Sequence, residues 1–255
     1  MIFESSSSWL DFTVSAYVSM LEYARGNYAF SSYTDREQAP HVLWRHDVDF
    51  SINRALCLAR LESERDLQAT YFVGLGLPGY NPMEPKTRRL VREILSLGHR
   101  LGLHFDISGY DLGPWQKAEI EAAIAKEADW LGTLAGTAPD AVSFHNPTPE
   151  LIEAFPEDEI AGLVNAYSSR LREGYLYCSD SNGYWRHRSI PEVLESGESD
   201  RLHILTHPAW WTEEPMPPRS RVERCVKGRA ASVMRDYDET LAKFGRLNLS
   251  DDNNA

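Results

Sequence analysis

The stretch His41-Val42-Leu43-Trp44-Arg45-His46-Asp47-Val48-Asp49 decides how this chain is read. His41 to Arg45 has the apolar run of a buried strand, and His46 to Asp49 places a polar cluster at its C-terminal end. Downstream, Ile52 to Leu67 has helical spacing, with Ala55, Leu58, Ala59 and Leu61 on the buried side and Ser51 or Asn53 near the start. A strand–helix unit is therefore the local pattern.

The same unit repeats along the chain. Ala69 to Val73 reads as a strand, and Lys86 to Leu97 as a helix stopped by Gly98. Arg100 to Phe105 is the next strand. Ala118 to Leu134 is a helix, with Ile120, Ile124, Leu131 and Leu134 on one stripe and Gly136 beyond it. Ala141 to Phe144, Tyr175 to Cys178 and Leu202 to Thr206 complete the strands, with a less regular stretch before Tyr175. An N-terminal helix is expected over Trp9 to Tyr23, and a long one over Arg221 to Phe244. Ser5 to Ser8 and Asp251 to Ala255 are expected to fray. Such alternation implies a parallel sheet covered by helices, open or closed into a barrel.

In parallel β/α folds, catalytic groups collect at the C-terminal ends of strands. Asp47/Asp49, His104/Asp106, His145, Asp180 and His207 each stand at such an end. A closed barrel would aim all of them at one rim. One carboxylate with two imidazoles suits a divalent metal, zinc first, with a position left open. A second carboxylate can take a proton from water, and a further histidine can protonate a leaving nitrogen. The rim thus points to metal-assisted hydrolysis of an amide or ester.

These residues also fall into the pattern of a known family. His46-Asp47-Val48-Asp49 resembles the first motif of the polysaccharide deacetylases, the NodB-like carbohydrate esterase 4 group. Gly98-His99-Arg100-Leu101-Gly102-Leu103-His104 is similar to their second motif. Phe144-His145-Asn146-Pro147, Ser179-Asp180-Ser181 and Leu205-Thr206-His207-Pro208 follow as the third, fourth and fifth. Trp44 to Asp49, with Gly102 to Asp106, resembles a divergent branch associated with surface-polysaccharide genes. The resemblance implies one domain over 1–255, with a motif-bearing core at 41–215. It implies a distorted (β/α) barrel of about seven parallel strands, with an N-terminal and a long C-terminal helix.

By that resemblance Asp47 is the general base, Asp49 and His104 are metal ligands, and His207 is the acid. The chain departs from the pattern twice. Ser108 stands where the family has a second histidine, and His145 where it has an arginine. His145 is accordingly expected to complete the metal site, with Asp106 as the alternative. Arg45, Asp106, Asp180, Trp185 and Trp210 are assigned to substrate contact or to support of the ligands, and Asp180 either holds Arg45 or orients a catalytic group. The implied reaction removes an acetyl group from the nitrogen of an N-acetylated sugar or glycan precursor. Two other readings stand beside it: hydrolysis of another non-peptide C–N bond in a small metabolite, and a carbohydrate-binding barrel without catalysis.

Bulk properties constrain partners. A formal net charge of −12 argues against a nucleic-acid partner, since phosphate binding needs clustered Lys and Arg. No apolar run is long enough to span a bilayer. The N-terminus lacks a basic segment followed by an apolar core. Cys57, Cys178 and Cys225 are sparse and odd in number, which suits reduced thiols. A cytoplasmic protein with a carbohydrate or small-molecule substrate is expected; the oligomeric state is open.

Overall fold

The computed structural model describes residues 12–35 and 40–249. Its strands are β1 (Ala29–Ser31), β2 (His41–Val48), β3 (Thr70–Val73), β4 (Arg100–Phe105), β5 (Ala141–Phe144), β6 (Glu159–Ile160), β7 (Leu163–Asn165), β8 (Leu176–Ser179) and β9 (Arg201–Thr206). Its helices are α1 (Val14–Asn27), α2 (Ile52–Ser63), α3 (Pro85–Ser96), α4 (Lys117–Ala135), α5 (Pro149–Ala154), α6 (Ser169–Gly174), α7 (Ile190–Ser196) and α8 (Pro218–Lys243).

The strand order is β6-β7-β5-β4-β3-β2-β9-β8, with β1 added beside β2. From β7 to β8 that path holds seven strands, all paired in parallel, and β6 is antiparallel to β7. The two ends of the path curl toward each other: Tyr167, just past β7, and Tyr177, in β8, line one cavity. The result is the distorted barrel of about seven parallel strands that the sequence implies, with one correction. No ladder joins β7 to β8, so the barrel is open there.

Strand β2 is buried along its whole length, and its period of two sorts side chains between two cores. Val42, Trp44 and Val48 pack toward the helices, while Leu43 joins Tyr33, Phe72, Ala141 and Val164 inside the barrel. Arg45 also faces inward. Its guanidinium lies 4.9 Å from the Phe72 ring centroid and 5.0 Å from that of Tyr167. His46 faces the helices, where Glu62 of α2 accepts from Tyr17 and Tyr71 and lies 2.7 Å from His46 Nε2. All four side chains are buried.

Helix ends follow local chemistry. Thr13 caps α1, its Oγ1 accepting from Ala16 N at 3.1 Å; Trp9 and Leu10, where that helix was expected to begin, lie outside the described residues, as do Ser5 to Ser8 and Asp251 to Ala255. Ser51, not Asn53, caps α2 by accepting from Arg54 N. Gly136 ends α4 at φ +87°, a conformation open to glycine at no steric cost. The irregular stretch before Tyr175 holds α5, β6, β7 and α6, each too short to show a period. Helix α8 begins at Pro218, three residues earlier than its periodicity suggests. It is pinned by buried Arg221, which donates to Gly183 O at 3.0 Å and lies over Phe12.

Candidate active site

Arg45 and Asp47 occupy alternate positions on the inner face of β2, so their side chains meet. Arg45 Nε donates to Asp47 Oδ1 at 2.7 Å, and Nη2 to Oδ2 at 2.6 Å. Both residues are buried. Burial alone would raise the Asp47 pKa, but the guanidinium outweighs it and holds the carboxyl below its ordinary range. Because Ser51 takes over the capping of α2, Asp49 is left free to turn into the rim.

Three donors converge there. Asp49 Oδ1 lies 3.2 Å from His104 Nε2 and 3.4 Å from His145 Nδ1, and the two imidazoles are 3.1 Å apart. One ligand atom from each residue lies within 4.8 Å of the others. Asp49 Oδ1 is buried and, among the described residues, has no hydrogen-bond partner. An orphaned carboxylate oxygen facing two imidazole nitrogens is a set that a divalent cation would satisfy, so the residues present fit a metal. Ser143 Oγ sits 2.7 Å from His104 Nδ1, where it can accept that nitrogen's proton and leave the Nε2 lone pair for a metal. His145 is set by the end of β5: its N–H donates to Phe105 O at 2.8 Å, and Asn146 turns the chain at φ +44°, which Asn tolerates.

Across the rim stands His207, its Nε2 3.9 Å from Asp49 Oδ2. Its other nitrogen, Nδ1, lies 2.6 Å from Asp180 Oδ1, while Asp180 Oδ2 accepts from His207 N at 2.9 Å and from Trp211 Nε1 at 3.1 Å. Burial works against the imidazolium, but Asp180 more than compensates and pushes the His207 pKa up to about 9.

The cavity between these groups has a volume of about 80 Å³ and is walled by Phe144, Pro147, Tyr167, Tyr177 and Leu205. Each water needs roughly 10–15 Å³ of such space, so it has room for a few water molecules or a small acyl group.

Of the ten site residues read from the sequence, Asp47, Asp49, His104, His145 and His207 line this cavity, and Arg45 and Asp180 hold two of them. Three are elsewhere. Asp106 turns back to accept from Ser108 N at 2.9 Å, capping a short turn (Ile107–Gly109) instead of joining the cluster. Trp185 packs against Phe12 and Trp211, and Trp210 is buried between Phe50 and His207; neither lines the cavity. Asp180 does not hold Arg45, because both its oxygens serve His207 and Trp211. Tyr167, Tyr177 and Ser143 were not anticipated. Ser143, in β5, stands two residues before His145, which follows the strand's end, a spacing that could have revealed it; the tyrosines carry no such signal.

No protein-family model matches the chain, and no curated protein matches it by sequence. Among solved structures, the Bc1960 peptidoglycan N-acetylglucosamine deacetylase is similar at 17% identity, over 83% of this chain and 90% of that one, with a TM-score of 0.43. The peptidoglycan deacetylase PdaC of Bacillus subtilis follows at 14% identity, over 79% and 96%, with a TM-score of 0.42. A family 4 carbohydrate esterase from Bacillus anthracis has 12% identity, over 85% and 86%, with a TM-score of 0.41. These likenesses are distant. No described helix is long and apolar enough to cross a membrane.

Proposed function

We propose that this chain is a metal-dependent amide hydrolase that removes an acetyl group from the nitrogen of an N-acetylated sugar or glycan precursor. The observation that carries the reading is one cavity with a three-donor cluster on one side and a histidine–aspartate pair on the other. Asp49, His104 and His145 would hold the metal, zinc by the nature of the donors. When bound, it would polarise the acyl carbonyl and acidify a water molecule.

The chain's own groups then divide the proton work. Asp47 is kept ionised and oriented by Arg45, and takes the proton of the attacking water. His207, held protonated by Asp180, gives the proton of Nε2 to the leaving nitrogen as the C–N bond breaks. The acyl carbon leaves as a carboxylic acid and the sugar as an amine. The small cavity supports a short acyl group, and Tyr177, 45% exposed at the mouth, offers a face for a sugar ring. The motif order described above supports the sugar over another small C–N substrate. Three free cysteines support a reducing, cytoplasmic setting, and the single sheet that supplies every site residue supports one domain.

The test is release of primary amine from a panel of N-acetylated mono- and oligosaccharides by the metal-replete protein. Turnover that Asp47→Asn and His207→Gln each reduce about 100-fold or more supports the assignment. Absence of turnover across the panel, with metal bound, contradicts it.

A further inference from the structure

A second cavity is separate from the catalytic one. It has a volume of about 390 Å³ and lies between the start of α2, the loop before α3, α3 itself and α8. Its wall carries five cations, Arg54, Lys86, Arg224, Arg229 and Arg235, against one acid, Glu84. That balance is the reverse of the whole chain, whose net charge is −12.

The acid is already committed, because Arg229 Nη1 donates to Glu84 Oε2 at 2.7 Å and Nη2 to Oε1. Lys86 spends one donor on Ser232 Oγ at 2.8 Å, and Arg54 Nη2 donates to Trp211 O at 2.5 Å. Neither Arg54 nor Arg224 has an ion pair among the described residues, and each keeps a buried N–H without a hydrogen-bond partner, Nε and Nη2 respectively. Glu213 is within electrostatic reach of Arg54 but forms no ion pair with it. Burial, and the like charge of Arg224 beside it, hold the Arg54 pKa below its ordinary value. By contrast, Arg45, Arg65 and Arg188 each face a carboxylate, of Asp47, Glu22 and Glu198 respectively. Two adjacent unmatched guanidinium groups in a cleft repel each other and leave donors unsatisfied, and an anion relieves both costs.

We infer that this cleft is a binding site for a diphosphate-bearing ligand. A single phosphate would meet only part of the cationic wall. At about 390 Å³ the cavity is in the range of roughly 300–1,000 Å³ that takes a small organic ligand, so a diphosphate with part of its organic substituent fits. Arginine forks and the start of α2 suit phosphate oxygens. The cleft also abuts the catalytic rim. Phe50, which follows Asp49, forms part of its wall, as does Gly79, packed so tightly there that a Cβ would fall 2.4 Å from Phe50 Cα and 2.7 Å from Asp49 O. The diphosphate is either that of an activated sugar, extending from the catalytic cavity, or a free ligand bound behind Asp49.

Calorimetric titration of the full chain with inorganic pyrophosphate, at low salt, tests the site without reference to hydrolysis. Saturable one-to-one binding that weakens with salt is expected in wild type and in Asp49→Asn, which removes the metal cluster. Arg235→Gln, on the exposed face of α8, and the double variant Arg224→Gln/Arg235→Gln should weaken it, the double variant by about tenfold or more. Absence of binding in wild type overturns the proposal. So does binding that survives in the double variant but is lost in Asp49→Asn, because that places the anion at the metal cluster. Tighter binding of a nucleoside-diphosphate N-acetylhexosamine than of the nucleoside diphosphate alone assigns the anion to the substrate; equal binding assigns it to a free ligand, and both uphold the site.

Discussion

Asp180 grips His207 at two points, accepting the backbone N–H at 2.9 Å through Oδ2 and facing Nδ1 at 2.6 Å through Oδ1. The residues close adjacent strands, β8 and β9, so the sheet itself fixes the pair. One contact sets where the imidazole starts, the other its orientation and charge, and Nε2 is left facing the cavity.

That relationship gives a pH prediction. The His207 pKa is raised to about 9, so the imidazolium persists through neutrality. Since the folded pKa exceeds the unfolded value of about 6.5, the stabilisation is fully present below the latter and is lost as pH rises through the former. NMR titration of the metal-free protein should place the His207 midpoint near 9, and Asp180→Asn should move it clearly lower. A midpoint that Asp180→Asn leaves in place would sever the proposed link.

Arg45 and Asp47 form a buried pair inside the barrel, and removing one partner strands the other charge. Arg45→Ala should lower stability by about 3–5 kcal/mol in urea unfolding. Arg45→Lys should recover only part of that loss, because an ammonium cannot reproduce the two-pronged geometry or the stacking between Phe72 and Tyr167. Full rescue by lysine would show that charge alone matters there.

On the opposite face of β2, Glu62 is the hub of a buried network that ties α1, α2, β2 and β3 together. His46 extends it to β9 through Thr206 Oγ1 at 2.6 Å. Burial opposes the Glu62 carboxylate, but His46 outweighs it and lowers the pKa. A lowered folded pKa means stability that is complete above the unfolded value, about 4.3, and is lost as pH falls. Wild type should therefore lose stability as pH falls from about 5 to about 3, and Glu62→Gln should be less stable at pH 6 yet lose less over that interval. Parallel losses in the two proteins would assign the acid sensitivity to other carboxylates.

Much of this arrangement was legible in the sequence, for physical reasons that differ by residue. The apolar run before Asp47 and the helical period after Ser51 mark a strand and a helix because burial imposes those periods. The convergence of Asp49, His104, His145 and His207 followed from the rule that parallel strands present their C-terminal ends to one rim. Arg45 on Asp47 was also within reach, since residues two apart on a strand face the same side. Asp180 was read either to hold Arg45 or to orient another group, and the parallel pairing of β8 with β9 decides that it holds His207. Asp106 misled for a local reason: its carboxylate satisfies the backbone of the turn that follows it. The tryptophans stay out of the cavity because their bulk is worth more in the core than at the rim, although Trp210 packs against His207.

The central claim is that Asp49, His104 and His145 form a metal site in which the histidine just past β5 replaces the one absent at Ser108. Metal analysis of the purified wild type beside Asp49→Ala, His145→Ala and Asp106→Ala tests it most directly. About one equivalent in wild type and Asp106→Ala, with loss in the other two, is the predicted result. Retention by His145→Ala with loss in Asp106→Ala, or no metal in wild type prepared with metal in excess, would contradict it.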